Sequence, residues 1–264
     1  MLTFRDLYTA LHKLDLDRTC PVIAHGSLSS FGEINGGADT ILGALLSISN
    51  SVIMPTFTYK TMLIPEVGPE SNAMVYGSGK DLNRMAEFFT PTMPVDSLMG
   101  AIPEALRVHP KAHRSSHPIL SFGGINADQL LEKQTIQEPL APIHALRECG
   151  GWVILLGVDH TVNTSIHYGE LLAGRKQFVR WALTPDGVLE CPGFPGCSDG
   201  FNAITPSLDP VIRRVQAGSS LVQAVPVAAL VETVLAMLRQ DPLALLCEKP
   251  DCERCNAVRE SVKK

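Results

Sequence analysis

Three short apolar runs, at residues 21–24, 51–56 and 152–158, limit this chain to few architectures. Each is too short for a helix, and none alternates apolar with polar residues. That is the pattern of a strand covered on both faces. Helical periodicity marks the stretches between them. Phe4, Leu7, Leu11 and Leu14 share one face of a helix capped by Thr3. Ile41, Leu42, Leu45, Leu46 and Ile48 do the same over residues 38–48. The spacing predicts further helices over 98–108, with Pro103 in the first turn, and over 164–173, stopped by Gly174. Buried strands alternating with helices predict an α/β fold, a layered sandwich around a central mixed sheet.

The texture changes after Gly174. The turn Pro185-Asp186-Gly187 joins residues 177–183 to 188–191, so an antiparallel hairpin addition is expected in the C-terminal third. A long helix over 227–239 is entered through Pro226, and Asp241-Pro242 begins a short further helix. Residues 60–80, with Pro65, Pro69 and several glycines, read as a long surface loop. No linker divides the chain. The expectation is a single domain over residues 1–264, with a Cys-rich segment from about residue 191.

A 45% hydrophobic share supports a sizeable core and excludes a disordered chain. Twenty-two Lys+Arg against 27 Asp+Glu leave a formal charge of -5, and no basic stripe appears, so nucleic acid is excluded as a partner. A small cationic amine suits that charge better. The apolar runs are too short to span a bilayer, and the amphipathic N-terminus lacks a leader's apolar stretch. A cytoplasmic protein with no membrane partner is expected.

Two segments carry candidate chemistry. The run HGSLSSFGEINGG, from His25 to Gly37, follows a strand and opens a helix. Backbone N–H groups at a helix N-terminus bind anions, and glycines allow close approach, so this loop is either a phosphate-ligand site or a capped turn. Its spacing matches neither a P-loop nor a GxGxxG fingerprint. The run GVDHTVNTSIHYGE, ending at Glu170, follows the most apolar strand. His167 and Glu170 are three apart on one helix face, within reach of each other. A carboxylate beside an imidazole fixes its tautomer, as a general base requires. Asn163 and Thr164 are candidate caps for that helix.

These runs, with MPTFTY from Met54, MGAIPEALR from Met99 and RSSHPILSF from Arg114, occur in an order the chain shares with a known family. The chain resembles the aminoglycoside 3-N-acetyltransferases, antibiotic N-acetyltransferases outside the GNAT superfamily, over about residues 20–175. The resemblance implies an acetyl-CoA-dependent enzyme, acetylating an aminoglycoside or related amine, with His167 as general base and Glu170 as its partner. It implies that His25, Ser27, Ser29, Ser30, Gly32, Gly36 and Gly37 lie along coenzyme A. Arg114, Ser115 and Thr164 are further candidates for the cofactor side, backbone N–H groups near Ser27 to Ser30 or the Thr164 hydroxyl are candidate oxyanion donors, and His117 reads as structural. Two departures stand out: His144 within PLAPIHAL, and a Cys-rich C-terminal third. The alternatives are a metal-dependent hydrolase using Asp159, His160, His117 and His167, and a non-catalytic CoA-binding module.

Seven cysteines are an odd number for a disulfide framework. Cys247, Cys252 and Cys255 form a C-x4-C-x2-C run, and Cys197 adds a fourth thiol from a Gly-rich loop. Four thiolates suit a structural Zn²⁺ with no open coordination position. Cys20 and Cys149 read as core.

Overall fold

The computed structural model describes residues 1–263. Ten strands form: β1 Val22–Gly26, β2 Val52–Pro55, β3 Met62–Leu63, β4 Ala112–Arg114, β5 Phe122–Ile125, β6 Trp152–Leu156, β7 Phe178–Thr184, β8 Gly187–Phe194, β9 Arg213–Ala217 and β10 Ser220–Pro226. Seven of them make one sheet in the order β4-β5-β2-β1-β6-β10-β9. Its centre is parallel, with Val22 opposite both Val52 and Trp152. Both flanks are antiparallel, through β5 on β2 and β10 on β6. The three apolar runs are those three parallel strands.

Period-two geometry divides their side chains between two cores. Val22, Ala24, Val52, Met54, Ile154 and Leu156 face one side, covered by the helices Phe4–His12, Gly37–Ile48 and Ala101–Val108. Ile23, Ile53, Val153 and Leu155 face the other, under the helices Ala141–Glu148, Thr164–Leu172 and Val227–Gln240. Burial of each such side chain contributes roughly 1.5–3 kcal/mol, which is why the strands carry no polar face. Local signals agree with this packing. Thr3 and Asp6 form a reciprocal capping box on the first helix. Gly174, at φ +76, ends the helix that carries His167.

The expected hairpin β7–β8 forms, with Thr184 paired to Gly187, and joins β3 in a separate three-stranded sheet. The antiparallel addition to the central sheet is β9–β10, whose edge strand begins with the arginines 213 and 214. Residues 60–80 are not all surface loop. Asn72 is buried and bonds the backbone of Val179 through both amide atoms, which moors the segment to β7. Asp241-Pro242 starts a turn, with the Asp241 carboxylate accepting from Leu243 N–H, and the last helix forms instead at Glu253–Val262. Among the described residues no helix is long and apolar enough to cross a membrane.

Candidate active site

His167 lies on the second turn of the helix Thr164–Leu172, just beyond the carboxyl end of β6. Such strand ends are where open α/β sheets place ligands. Asn163 caps the helix by accepting from Ser165 N–H at 3.1 Å. The spacing of three brings His167 Nδ1 to 2.7 Å from Glu170 Oε2. A carboxylate only accepts, so Nδ1 carries the proton and Nε2 is left with the lone pair. Both residues are buried, with side chains 9% and 2% exposed. Phe201 meets the imidazole edge-on, with ring centroids 4.7 Å apart.

A third member was not legible in the sequence. Arg175 donates to the other oxygen, Glu170 Oε1, at 2.5 Å, and is itself buried. Its second terminal nitrogen donates to Pro242 O at 2.6 Å and Ala244 O at 2.8 Å. The guanidinium cancels the Glu170 charge, which a buried carboxylate requires. Its orientation is set by backbone 67 and 69 positions away in sequence. The sole local signal was a cation one residue past the stop at Gly174.

His25 is the penultimate residue of β1, buried, and its Nε2 has no hydrogen-bond partner. His160 is also buried with an unpartnered Nε2, and burial lowers its pKa. The turn carrying His160 is pinned from the side: Asn202 accepts from His160 N–H at 3.0 Å and donates to Asp159 at 2.7 Å. Among the described residues, one group of three or more His, Cys, Asp or Glu side chains converges as a metal site would, and it is the cysteine group. Asp159, His160, His117 and His167 do not converge, so the hydrolase reading loses its metal site.

The His25–Gly37 loop is a 3-10 turn, Leu28–Phe31, followed by glycines with positive φ. Ser27 and Ser29 join their hydroxyls at 3.0 Å. Ser30 is committed inward: its hydroxyl donates to Ser27 O and accepts from Ser220. Gly32 and Gly37 have φ of +72 and +56. Gly36 caps the helix at φ +81, and a Cβ there would meet Thr40 Oγ1 at 2.4 Å. Backbone shape therefore demands glycine at position 36 whether or not a ligand binds. Arg114 is a clamp: it donates to Ser121, Pro91, Met93 and Thr56, and burial lowers it to about 10. Ser115 is bound to Gln134 at 2.5 Å and accepts from Phe122 N–H. Thr164 opens the helix that carries His167 at its first position. An open cleft of about 440 Å³ along residues 68–76 carries Glu70, Glu253 and Glu260, and shares no lining residue with the His167 relay.

The sequence profile described as Aminoglycoside 3-N-acetyltransferase matches residues 23–239. The chain belongs to that family. A relative from Bacillus subtilis (strain 168), the SPbeta prophage-derived aminoglycoside N(3')-acetyltransferase-like protein YokD, is 31% identical over 173 residues, a stretch spanning 61% of each chain. The apoenzyme of aminoglycoside acetyltransferase AAC(3)-IVa superposes at TM-score 0.80 with 23% identity, covering 98% of both chains. A mutant of that enzyme solved with apramycin superposes at 0.76 with 22% identity, covering 96% of this chain and 98% of its own. AAC-IIIb solved with CoASH superposes at 0.72 with 21% identity, over 90% of this chain and 96% of its own. Within this acetyltransferase family fold, His25, His160 and His167 all sit at the carboxyl ends of β1 and β6. Cys247, Cys252 and Cys255 lie beyond the matched residues.

The buried histidines give the fold an acid limit. Burial, with a smaller push from His160, lowers His25 to about 3. Burial lowers His117 to about 4, and its Nδ1 accepts from the N–H groups of Ile119 and Leu120. Unfolded histidine titrates near 6.5, so below that pH the unfolded chain binds protons the native state refuses. Stability is full above about pH 6.5 and is lost as the pH falls toward the native values. Each histidine accounts for roughly 3–5 kcal/mol at full effect. The melting temperature should drop steeply between pH 6.5 and 4, and His117→Gln should blunt the drop. A melting temperature flat across that window contradicts it.

Proposed function

We propose that this chain, acting as a single domain, transfers the acetyl group of acetyl-CoA to an amine of an aminoglycoside or related polycation. The 3-amino group is the preferred acceptor. The observation that carries the reading is the buried His167–Glu170–Arg175 relay at the end of β6, in a chain of this family. His167 acts as general base. Its Nε2 accepts the proton that the attacking nitrogen sheds, while Glu170 holds the Nδ1 proton and stabilises the imidazolium. The amine attacks the thioester carbonyl, the tetrahedral intermediate collapses, and the carbon–sulfur bond breaks. The departing CoA thiolate takes the proton back from His167. Two of the candidate oxyanion donors are already used, since Ser27 N–H bonds Leu156 O and Ser30 N–H bonds Ser27 O. The Thr164 hydroxyl is the stronger remaining candidate. On the cofactor side, Ser27 and Ser29 are the loop hydroxyls left to face coenzyme A. None of the seven cysteines is in a disulfide, in keeping with a cytoplasmic site of action. An intact relay argues against a non-catalytic CoA-binding module.

The test is release of CoA thiol from acetyl-CoA offered with a panel of aminoglycosides and simpler amines. No amine-dependent release from any of them overturns the reading. Charge should select the acceptor. Seven carboxylates are candidates to meet a polycation: Glu66, Glu70, Asp96, Glu104, Asp159, Asp199 and Asp209. Glu104 is held by Arg107, Asp159 by Asn202, Asp199 by Lys249 and Asp209 by Arg214. Asp96, Glu66 and Glu70 are left for a polycation. Exposed ion pairs contribute only ~0.2–1 kcal/mol each and are screened by salt. Acetylation should therefore weaken steeply with added salt and rise from mono- to di- to polyamines. A flat profile across that series at two salt concentrations means selection by something other than charge.

A further inference from the structure

Four of the seven cysteines, none of which serves the acetyl-transfer chemistry, are brought together from three chain segments. Cys197 comes from the loop after β8, Cys247 from the strap that follows the helix Val227–Gln240, and Cys252 and Cys255 from the start of the helix Glu253–Val262. Their sulfur atoms all lie within 4.8 Å of one another. Four sulfurs at Zn–S distances of about 2.3 Å stand roughly 3.8 Å apart, so the cluster is close to the size of a tetrahedral zinc site. The cluster packs apart from the two sheet cores, with Leu246 as its apolar neighbour. Asp199 N–H donates to Cys197 Sγ at 3.5 Å. Lys249, Arg254 and Arg259 surround it: Lys249 pairs with Asp199, Arg254 donates to Gly196 O, and Arg259 donates to Cys247 O. A zinc tetrathiolate carries two net negative charges, and cations holding its own ligand loops suit it.

Both loops that supply these thiols lead back to His167. Four residues after Cys197, Phe201 lies against the His167 ring, and Asn202 pins the 159–160 turn. Three residues before Cys247, Ala244 O accepts from Arg175, as does Pro242 O. Between them Leu245 is held at φ +66, a conformation a non-glycine residue keeps only under constraint. The two loops touch at Gly200, where a Cβ would meet Leu245 O and Leu246 O at 2.5 Å. We propose that Cys197, Cys247, Cys252 and Cys255 bind one Zn²⁺, and that this metal locks the 197–202 loop to the 242–247 strap and so positions the relay. Phe201 and Arg175 are positioning residues, and the metal sits behind the site with no coordination position open to substrate. The second half rests on His167 as the base. The first half stands on the thiols alone.

The experiment is metal analysis of the full chain purified without chelator, followed by hydrogen exchange on the metal-loaded and chelated protein. Expected are one Zn²⁺ per chain and replacement by Co²⁺ with thiolate-to-cobalt charge-transfer absorption. On chelation, exchange should rise at residues 197–202 and 242–247, and turnover should fall at least tenfold with the KM for acetyl-CoA little changed. Cys252→Ser, at the half-exposed ligand, should weaken metal retention while leaving the chain folded. Protein that neither holds nor takes up Zn²⁺ or Co²⁺, iron in place of zinc, or a Cys252–Cys255 disulfide in the purified protein overturns the metal site. Unchanged exchange in both loops after metal loss overturns the positioning role, whatever the acetylation assay reads.

Discussion

His167→Ala should lower acetyl transfer by about 10²–10⁴-fold, the usual worth of a positioned general base. The fold should survive the change. Glu170 keeps its bond to Arg175, so truncation orphans no buried charge. What is lost is the edge contact with Phe201, worth roughly 0.5–1.5 kcal/mol. Coenzyme A affinity by calorimetry should be nearly unchanged, because the loop from His25 to Gly37 does not bond the imidazole. Glu170→Gln should cost less in rate, since it removes charge and orientation but leaves the base. The measurement is steady-state thiol release beside a thermal melt. Wild-type turnover in His167→Ala at neutral pH would assign the proton to another group, and His160 or His25 would be next to examine.

The parts of this site that were legible are those written within one helix or one strand. Uninterrupted apolar runs identified β1, β2 and β6, because a strand covered on both faces has no polar side to display. The His167–Glu170 spacing is a property of one helix face and survives into the structure unchanged. The illegible parts depend on residues distant in sequence. Arg175 follows the helix stop, and only the carbonyls of Pro242 and Ala244 turn it back toward Glu170. β5 is half glycine, a composition that reads as a turn. Those glycines are required by contact: a Cβ on Gly123 would meet Leu106 and Thr56 at 2.8 Å, and one on Gly124 would meet Ala127 at 2.8 Å. Asp241-Pro242 looked like a helix start, but Asp241 spends its carboxylate on a tight turn that delivers the strap to Arg175. A phosphate-loop reading of Gly36 was ambiguous for a physical reason. Left-handed backbone and ligand approach demand the same residue, and the φ of +81 at Gly36 is enough to require glycine there.

The partnership of Glu170 with Arg175 should be the most expensive contact at the site to break. Both side chains are almost fully buried, at 2% and 4% exposure. Arg175→Met keeps much of the volume but leaves Glu170 with His167 as its one partner. Removing one member of a buried pair typically costs about 3–5 kcal/mol, because the remaining charge has lost compensation it cannot recover from water. The strap carbonyls at Pro242 and Ala244 lose their donor as well. Two readouts separate positioning from mere stability. With the guanidinium gone, only the imidazole orients the Glu170 carboxylate, so kcat should fall while the KM for acetyl-CoA changes little. Pairing Arg175→Met with Glu170→Gln removes the uncompensated charge. The double variant should regain much of the lost stability, a coupling that additive effects would not give. Equal instability of the single and double variants would mean that the strap contacts, and not the Glu170 charge, are what Arg175 supplies.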